Sequence, residues 1–180
     1  MEVPLSGAAD DVNARADERV WRSQIAVRAE PRHVLETLTC VDACEMWSPV
    51  GFELDDQDLP RLRTGTRVGV SGGVAGHRVR FCVEILRADV RRLSLRAAGP
   101  VELFADYEVE PVVDGSRVDA AVVVRPRPGR LAGVLARITA GLLAGGALPK
   151  TLTRIAREAE RRQVTASASS PSGTSLTPIG

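Results

Sequence analysis

An apolar stripe over residues 129–162 constrains this chain more than any other feature. Leu131, Val134, Leu135, Ile138, Leu142 and Leu143 recur at intervals of three and four. After a break at Gly145-Gly146 and Pro149 the stripe resumes with Leu152, Ile155, Ala156 and Ala159. That period marks an amphipathic helix. It is the only long helical pattern in the chain, and residues 18–126 read mostly as strands. A long helix following a run of strands buries its stripe against the sheet they form.

Taken in order, Val20 to Ala29 alternates, with Trp21, Ser23, Ile25 and Val27 on one face and Arg22, Gln24 and Arg28 on the other. Glu30-Pro31 ends this strand, and proline suits the first turn of a helix. A short helix over Arg32 to Thr39 follows and is expected to leave His33 at the surface. A second, Val41 to Met46, leads to Trp47-Ser48-Pro49, where proline stops it. Phe52 to Leu54 is a short strand, residues 56–65 a loop, Thr66 to Ser71 a strand, and residues 72–76 a glycine-rich turn. His77 to Arg87, Arg92 to Ala97, Val101 to Val109 and Val118 to Val124 complete the set, with turns at Gly99-Pro100 and Asp114-Gly115. Strands joined by short turns make an antiparallel meander. Residues 1–17 lack periodicity and predict a disordered arm. Residues 163–180, built of Ser, Thr, Ala, Pro and Gly, predict a disordered tail. The folded domain is expected over residues 18–162.

The expected fold class is α+β: a seven-stranded curved antiparallel sheet around a long C-terminal helix, with two short helices after strand 1. This order resembles the helix-grip fold of the START-like, or SRPBCC, superfamily, which includes the bacterial polyketide cyclase/dehydrase and lipid-transport group. The residues carrying the resemblance are Ala29-Glu30-Pro31 with Val34 and Leu35, Trp47-Ser48-Pro49 before Phe52-Glu53-Leu54, the loop ending Leu62-Arg63-Thr64-Gly65-Thr66, and the terminal Leu/Ile helix. The resemblance implies a cavity between sheet and helix that takes a hydrophobic small molecule, polyketide-like or lipid, in a setting of secondary metabolism. The superfamily holds aromatase/cyclases and non-catalytic carriers alike, so it implies either a cyclase/dehydratase-like enzyme, a carrier or sensor, or an interaction module with a collapsed cavity.

The inward sheet face is almost wholly apolar; its polar exceptions are Ser23, Thr66, His77 and Tyr107. An apolar cavity with a few convergent polar groups is the usual form of a ligand site. Tyr107, mid-strand, is the candidate acid or hydrogen-bond donor to a carbonyl; alternatively it is a core tyrosine bonded to a backbone carbonyl. His77, beside the glycine-rich turn, is either a general base at the mouth or a turn histidine in solvent. Trp21, Trp47, Phe52 and Phe81 are expected to form an aromatic wall, with Val79 and Leu103 beside them and Leu135, Ile138 and Leu142 as the helical lid. Trp47 serves equally well as a core residue pinning the short helices.

Other chemistry is disfavoured. Glu102, Asp106, Glu108 and Glu110 share the outward parity of their strand, facing Arg92, Arg96, Arg117 and Arg125, and are expected to form cross-strand ion pairs. Arg63 and Arg67 are expected on a solvated edge. The net charge is +1, and no basic stripe interleaves with aromatics, so nucleic acid is not an expected partner. Cys40, Cys44 and Cys82 have neither disulfide-framework nor zinc spacing; no metal or cofactor is expected, and a reducing cytoplasmic setting is. The glycines at 72, 73 and 76 precede no helix and no Lys-Ser/Thr, so they are not a phosphate loop. The acidic N-terminus does not read as a signal peptide. Residues 131–148 imitate a membrane span, but carry Arg137 centrally and predict a buried core helix instead. Lys150 is the only lysine, and the arginine bias suggests a bacterial source with a high-GC genome. The expected state is monomer or homodimer.

Overall fold

The computed structural model describes residues 19–48, 51–55, 59–74 and 77–168. The arm expected over residues 1–17 lies outside the described residues. Along the chain come β1 (Arg19–Val27), α1 (Pro31–Thr39), α2 (Val41–Trp47), β2 (Phe52–Leu54), β3 (Arg67–Val74), β4 (His77–Ala88), β5 (Arg92–Ala98), β6 (Val101–Val112), β7 (Gly115–Pro126), α3 (Arg130–Ala144) and α4 (Ala147–Ala168). The seven strands form one curved antiparallel sheet in the order β1-β7-β6-β5-β4-β3-β2. β1 and β2 therefore occupy opposite edges, and α1 and α2 carry the chain from one edge to the other. The chain has the helix-grip fold.

Alternation in each strand sets which side chains line the concave face. One row across the sheet runs Ser23, Ala120, Tyr107, Leu93 and Ala88. The register slips between Ile85 and Arg87, which throws Leu86 outward to 46% exposure. Such a bulge bends its strand and helps the sheet to curve. β3 continues to Val74, past the Ser71 end expected from its glycines, because Gly72 and Gly73 still pair with Val79 and Arg78.

The core lies where α4 crosses the concave face. Leu148, Leu152, Ile155, Ala156 and Ala159 meet Val27, Val34, Leu35 and Leu38 in one buried cluster. Leu152 and Ile155 are wholly buried; truncating either to alanine is expected to cost about 2–5 kcal/mol. Glu158 shares this buried face because Arg161 and Arg162 neutralise it at 2.7 and 2.8 Å. Their hydrogen bonds, Arg161 first, hold its carboxyl below the usual value.

Three features here depart from the sequence expectations. First, α4 runs past Arg162 to Ala168, since Gln163 Oε1 accepts the Glu30 N–H at 2.7 Å and Glu160 Oε1 accepts the Arg28 N–H at 2.9 Å. The polar composition of this stretch conceals those long-range bonds. Second, His33 is buried rather than at the surface, 5% exposed, in a hollow bordered by Arg161 and Arg162 of α4. Among the described residues neither ring nitrogen has a hydrogen-bond partner; Glu36 Oε2 stands 3.5 Å from Nδ1. Third, α3 is not a buried core helix. Val134 and Leu142 are about half exposed on it, at 52% and 48%.

The C-terminal stripe is two helices bent by 59°. Gly145 closes α3, its N–H donating to the Gly141 carbonyl at 2.8 Å, and Gly146 takes φ +83°. Non-glycine residues rarely adopt that conformation. Pro149 falls within the first turn of α4, where its missing N–H does no harm. No single helix among the described residues is long and apolar enough to cross a membrane.

Candidate functional site: a cavity beneath the helix break

Between the sheet, α3 and the start of α4 lies a cavity of about 650 Å³. Ligand pockets commonly enclose roughly 300–1,000 Å³. Its sheet wall is Phe81 of β4, Leu103 and Tyr107 of β6 and Val122 of β7; α2 contributes Trp47, and α3 contributes Ile138, Leu142 and Leu143. Small helical residues do not pull α3 inward: an added Cβ at Gly141 would meet no atom within 4 Å.

Each wall residue has a local reason for its position. Trp47 ends α2, and its Nε1 donates to the Thr37 carbonyl at 3.0 Å. Its ring meets Tyr107 edge-on at 6.3 Å and 64°, a favoured aromatic geometry. Phe81 lies against the β5–β6 turn, where a Cβ on Gly99 would come within 2.5 Å of its Cδ1. The turn glycine thus leaves the ring its place. Val79, Val101 and Leu135 form a separate buried cluster against Phe81 and Leu103.

Tyr107 is the polar group set among these side chains. It is 5% exposed, and among the described residues its hydroxyl has no hydrogen-bond partner. Burial, with a smaller contribution from Cys44, pushes its pKa up to about 12. The phenol therefore keeps its proton at neutral pH and acts as a donor, not a base. Cys44 is held as an unreactive thiol in the same way: burial raises it to about 12, and Sγ donates to the Leu38 carbonyl at 3.5 Å.

The opposite end is cationic. Lys150 and Arg154, four residues apart on α4, both line the cavity and are exposed. Arg154 Nη1 donates to the Ser48 carbonyl at 3.0 Å and ties the start of α4 to the end of α2. Thr139 and Thr151 add hydroxyls, and no carboxylate is among the lining residues. Sequence reading missed this group. Its available signal was the four-residue spacing of the two cations directly after the helix break.

The structure brings Tyr107, Trp47, Phe81, Leu103, Ile138 and Leu142 together in one wall. Val79 and Leu135 stand behind it. Four other expected residues lie outside the lining. Trp21 packs on the main core. Ser23 borders an outer hollow with Arg22 and Gln24. Phe52 pairs with Gly72 at the sheet edge. Thr66 Oγ1 accepts the Arg63 N–H at 3.0 Å within a turn. His77 opens β4 opposite Val74, and its side chain lies outside the described residues. Three of the four outer-face carboxylates are paired: Asp106 with Arg92 at 2.6 Å and with Ser94, Glu102 with Arg96, and Glu110 with Arg117, while Glu108 forms no ion pair among the described residues. Partial burial works to raise the Asp106 pKa, but Arg92 and Ser94 outweigh it and hold the carboxyl low. Arg67 meets Glu84 across the sheet edge at 2.6 Å.

No family model matches this chain, and no curated protein matches it in sequence. Solved structures do match in fold. Protein NE0264 from Nitrosomonas europaea aligns with a TM-score of 0.60 at 16% identity, over 81% of this chain and 96% of its own. Protein CV1439 from Chromobacterium violaceum aligns at 0.58 and 14% identity, over 78% of this chain and 96% of its own. DynU16, a protein in the dynemicin biosynthetic locus, aligns at 0.52 and 19% identity, over 80% of this chain and 48% of its own.

Proposed function

We propose that this protein binds a hydrophobic small molecule, polyketide-like or lipid in class, between its sheet and the α3–α4 bend. The observation that carries this reading is the Tyr107 hydroxyl, which belongs to a largely apolar cavity wall and has no hydrogen-bond partner among the described residues. A ligand carbonyl or ether oxygen that accepts from it fixes the ligand's orientation, while Trp47 and Phe81 offer faces to a planar body. The place of DynU16, which shares the fold, in the dynemicin biosynthetic locus is in keeping with a small-molecule ligand. A cyclase/dehydratase-like activity is the second reading, favoured by the same phenol. Tyr107 would hydrogen-bond a substrate carbonyl and ease enolisation, while the cavity holds the reacting atoms close.

Trp47 reports on occupancy directly. In a Trp21→Phe background it is the sole tryptophan. Titration with anthraquinone, a planar ligand bearing carbonyls, should quench its fluorescence saturably. Adding Tyr107→Phe should weaken anthraquinone about fivefold to tenfold and leave anthracene unchanged. Absence of quenching by either compound would contradict the reading.

A further inference from the structure

We infer that the ligand is an anionic amphipath, its single acidic group held at the cavity mouth by Lys150 and Arg154 and its apolar body lying toward Tyr107. The inference rests on the binding reading above and names the ligand's charge. Several cations on the sheet face carboxylates: Arg67 meets Glu84, Arg92 meets Asp106, and Arg117 meets both Glu110 and Asp119. At the mouth two cations converge one helical turn apart, and the lining supplies no anion. Among the described residues the Lys150 ammonium has no ion-pair partner. Arg154 spends one nitrogen on the Ser48 carbonyl, which steadies the guanidinium, and its remaining donors have no partner among the described residues. The cavity behind them is lined mostly by aromatic and aliphatic side chains, so a ligand matching both ends carries one anionic terminus on an apolar frame.

Carboxylate and phosphate monoester share this chemistry, and the test separates them. Binding of 11-(dansylamino)undecanoic acid is compared with that of its methyl ester by dansyl fluorescence at low and at physiological salt. The acid should bind about fivefold to tenfold more tightly, and the preference should shrink as salt rises. The double variant Lys150→Met, Arg154→Met should abolish the preference while still binding the ester, which shows that the variant is folded. Displacement by dodecanoate or by dodecyl phosphate then tells which anion the mouth prefers; stronger displacement by either than by dodecanol supports the inference. Equal binding of acid and ester, unmoved by the double variant, would overturn the anionic assignment and leave the cavity reading intact. Failure of both probes to bind would instead overturn the cavity reading itself.

Discussion

A tyrosine inside a protein ordinarily gives its hydroxyl to a carbonyl or to water. Tyr107 has no protein partner for its hydroxyl among the described residues, so no contact within the fold is lost when phenylalanine replaces it. Tyr107→Phe is therefore expected to keep stability within about 0.5 kcal/mol of the parent, or to raise it slightly, in chemical denaturation. A loss above about 1 kcal/mol would show that the hydroxyl has a structural partner and would remove the argument for a ligand contact. The inward direction of Tyr107 was legible in the sequence, because strand parity alone decides it. Its lack of a partner was not, since that depends on Leu38, Cys44 and Trp47 arriving from distant elements. Lys150 and Arg154 were passed over for the same kind of reason: their helix face acquires meaning only once the bend sets it beside the sheet. His33 shows the converse, a polar residue on a short helix that α4 covers from more than a hundred residues away.

At the scale of elements, the cavity depends on α3 and α4 being two helices. Gly146 holds the joint at φ +83°. A Cβ there would meet only Pro149 Cγ, at 3.8 Å, so the cost of Gly146→Ala is conformational and is expected at about 1–2 kcal/mol. Gly141 is helical with open space beside it, and Gly141→Ala should stabilise by about 0.5–1 kcal/mol. Opposite signs in paired thermal melts would confirm that the left-handed joint, and not glycine content in general, shapes the bend. A neutral Gly146→Ala would contradict it. The break itself was readable from Gly145-Gly146 and Pro149. The 59° angle was not, because it comes from α4 seating on β1 and α1 while α3 rests on β6 and β7. The strands were the most readable elements, since alternation sets their faces locally. The hairpin before β7 was read a residue late: Val113 and Asp114 make the turn, and Gly115 opens the strand. A Cβ on Gly115 would come within 2.1 Å of the Val27 carbonyl, a tertiary contact that local turn rules do not contain.

Across the whole molecule, one architecture explains both ends of the site. The meander orders the strands so that β4, β6 and β7 face α3, and the break then opens space between them. The long crossover through α1 and α2 brings Trp47 and the Ser48 carbonyl to the same place. The order of elements made the helix-grip architecture readable before any coordinates; the cavity's depth and its cationic mouth emerged only from non-local packing. On this architecture the space holds one small molecule. Native mass spectrometry of the protein as purified, then after addition of dodecanoate and of anthraquinone, tests it most directly. A mass increment of one small molecule per chain is expected, either carried from expression and released into organic solvent or gained on addition. A clean apo mass that neither compound shifts would contradict it.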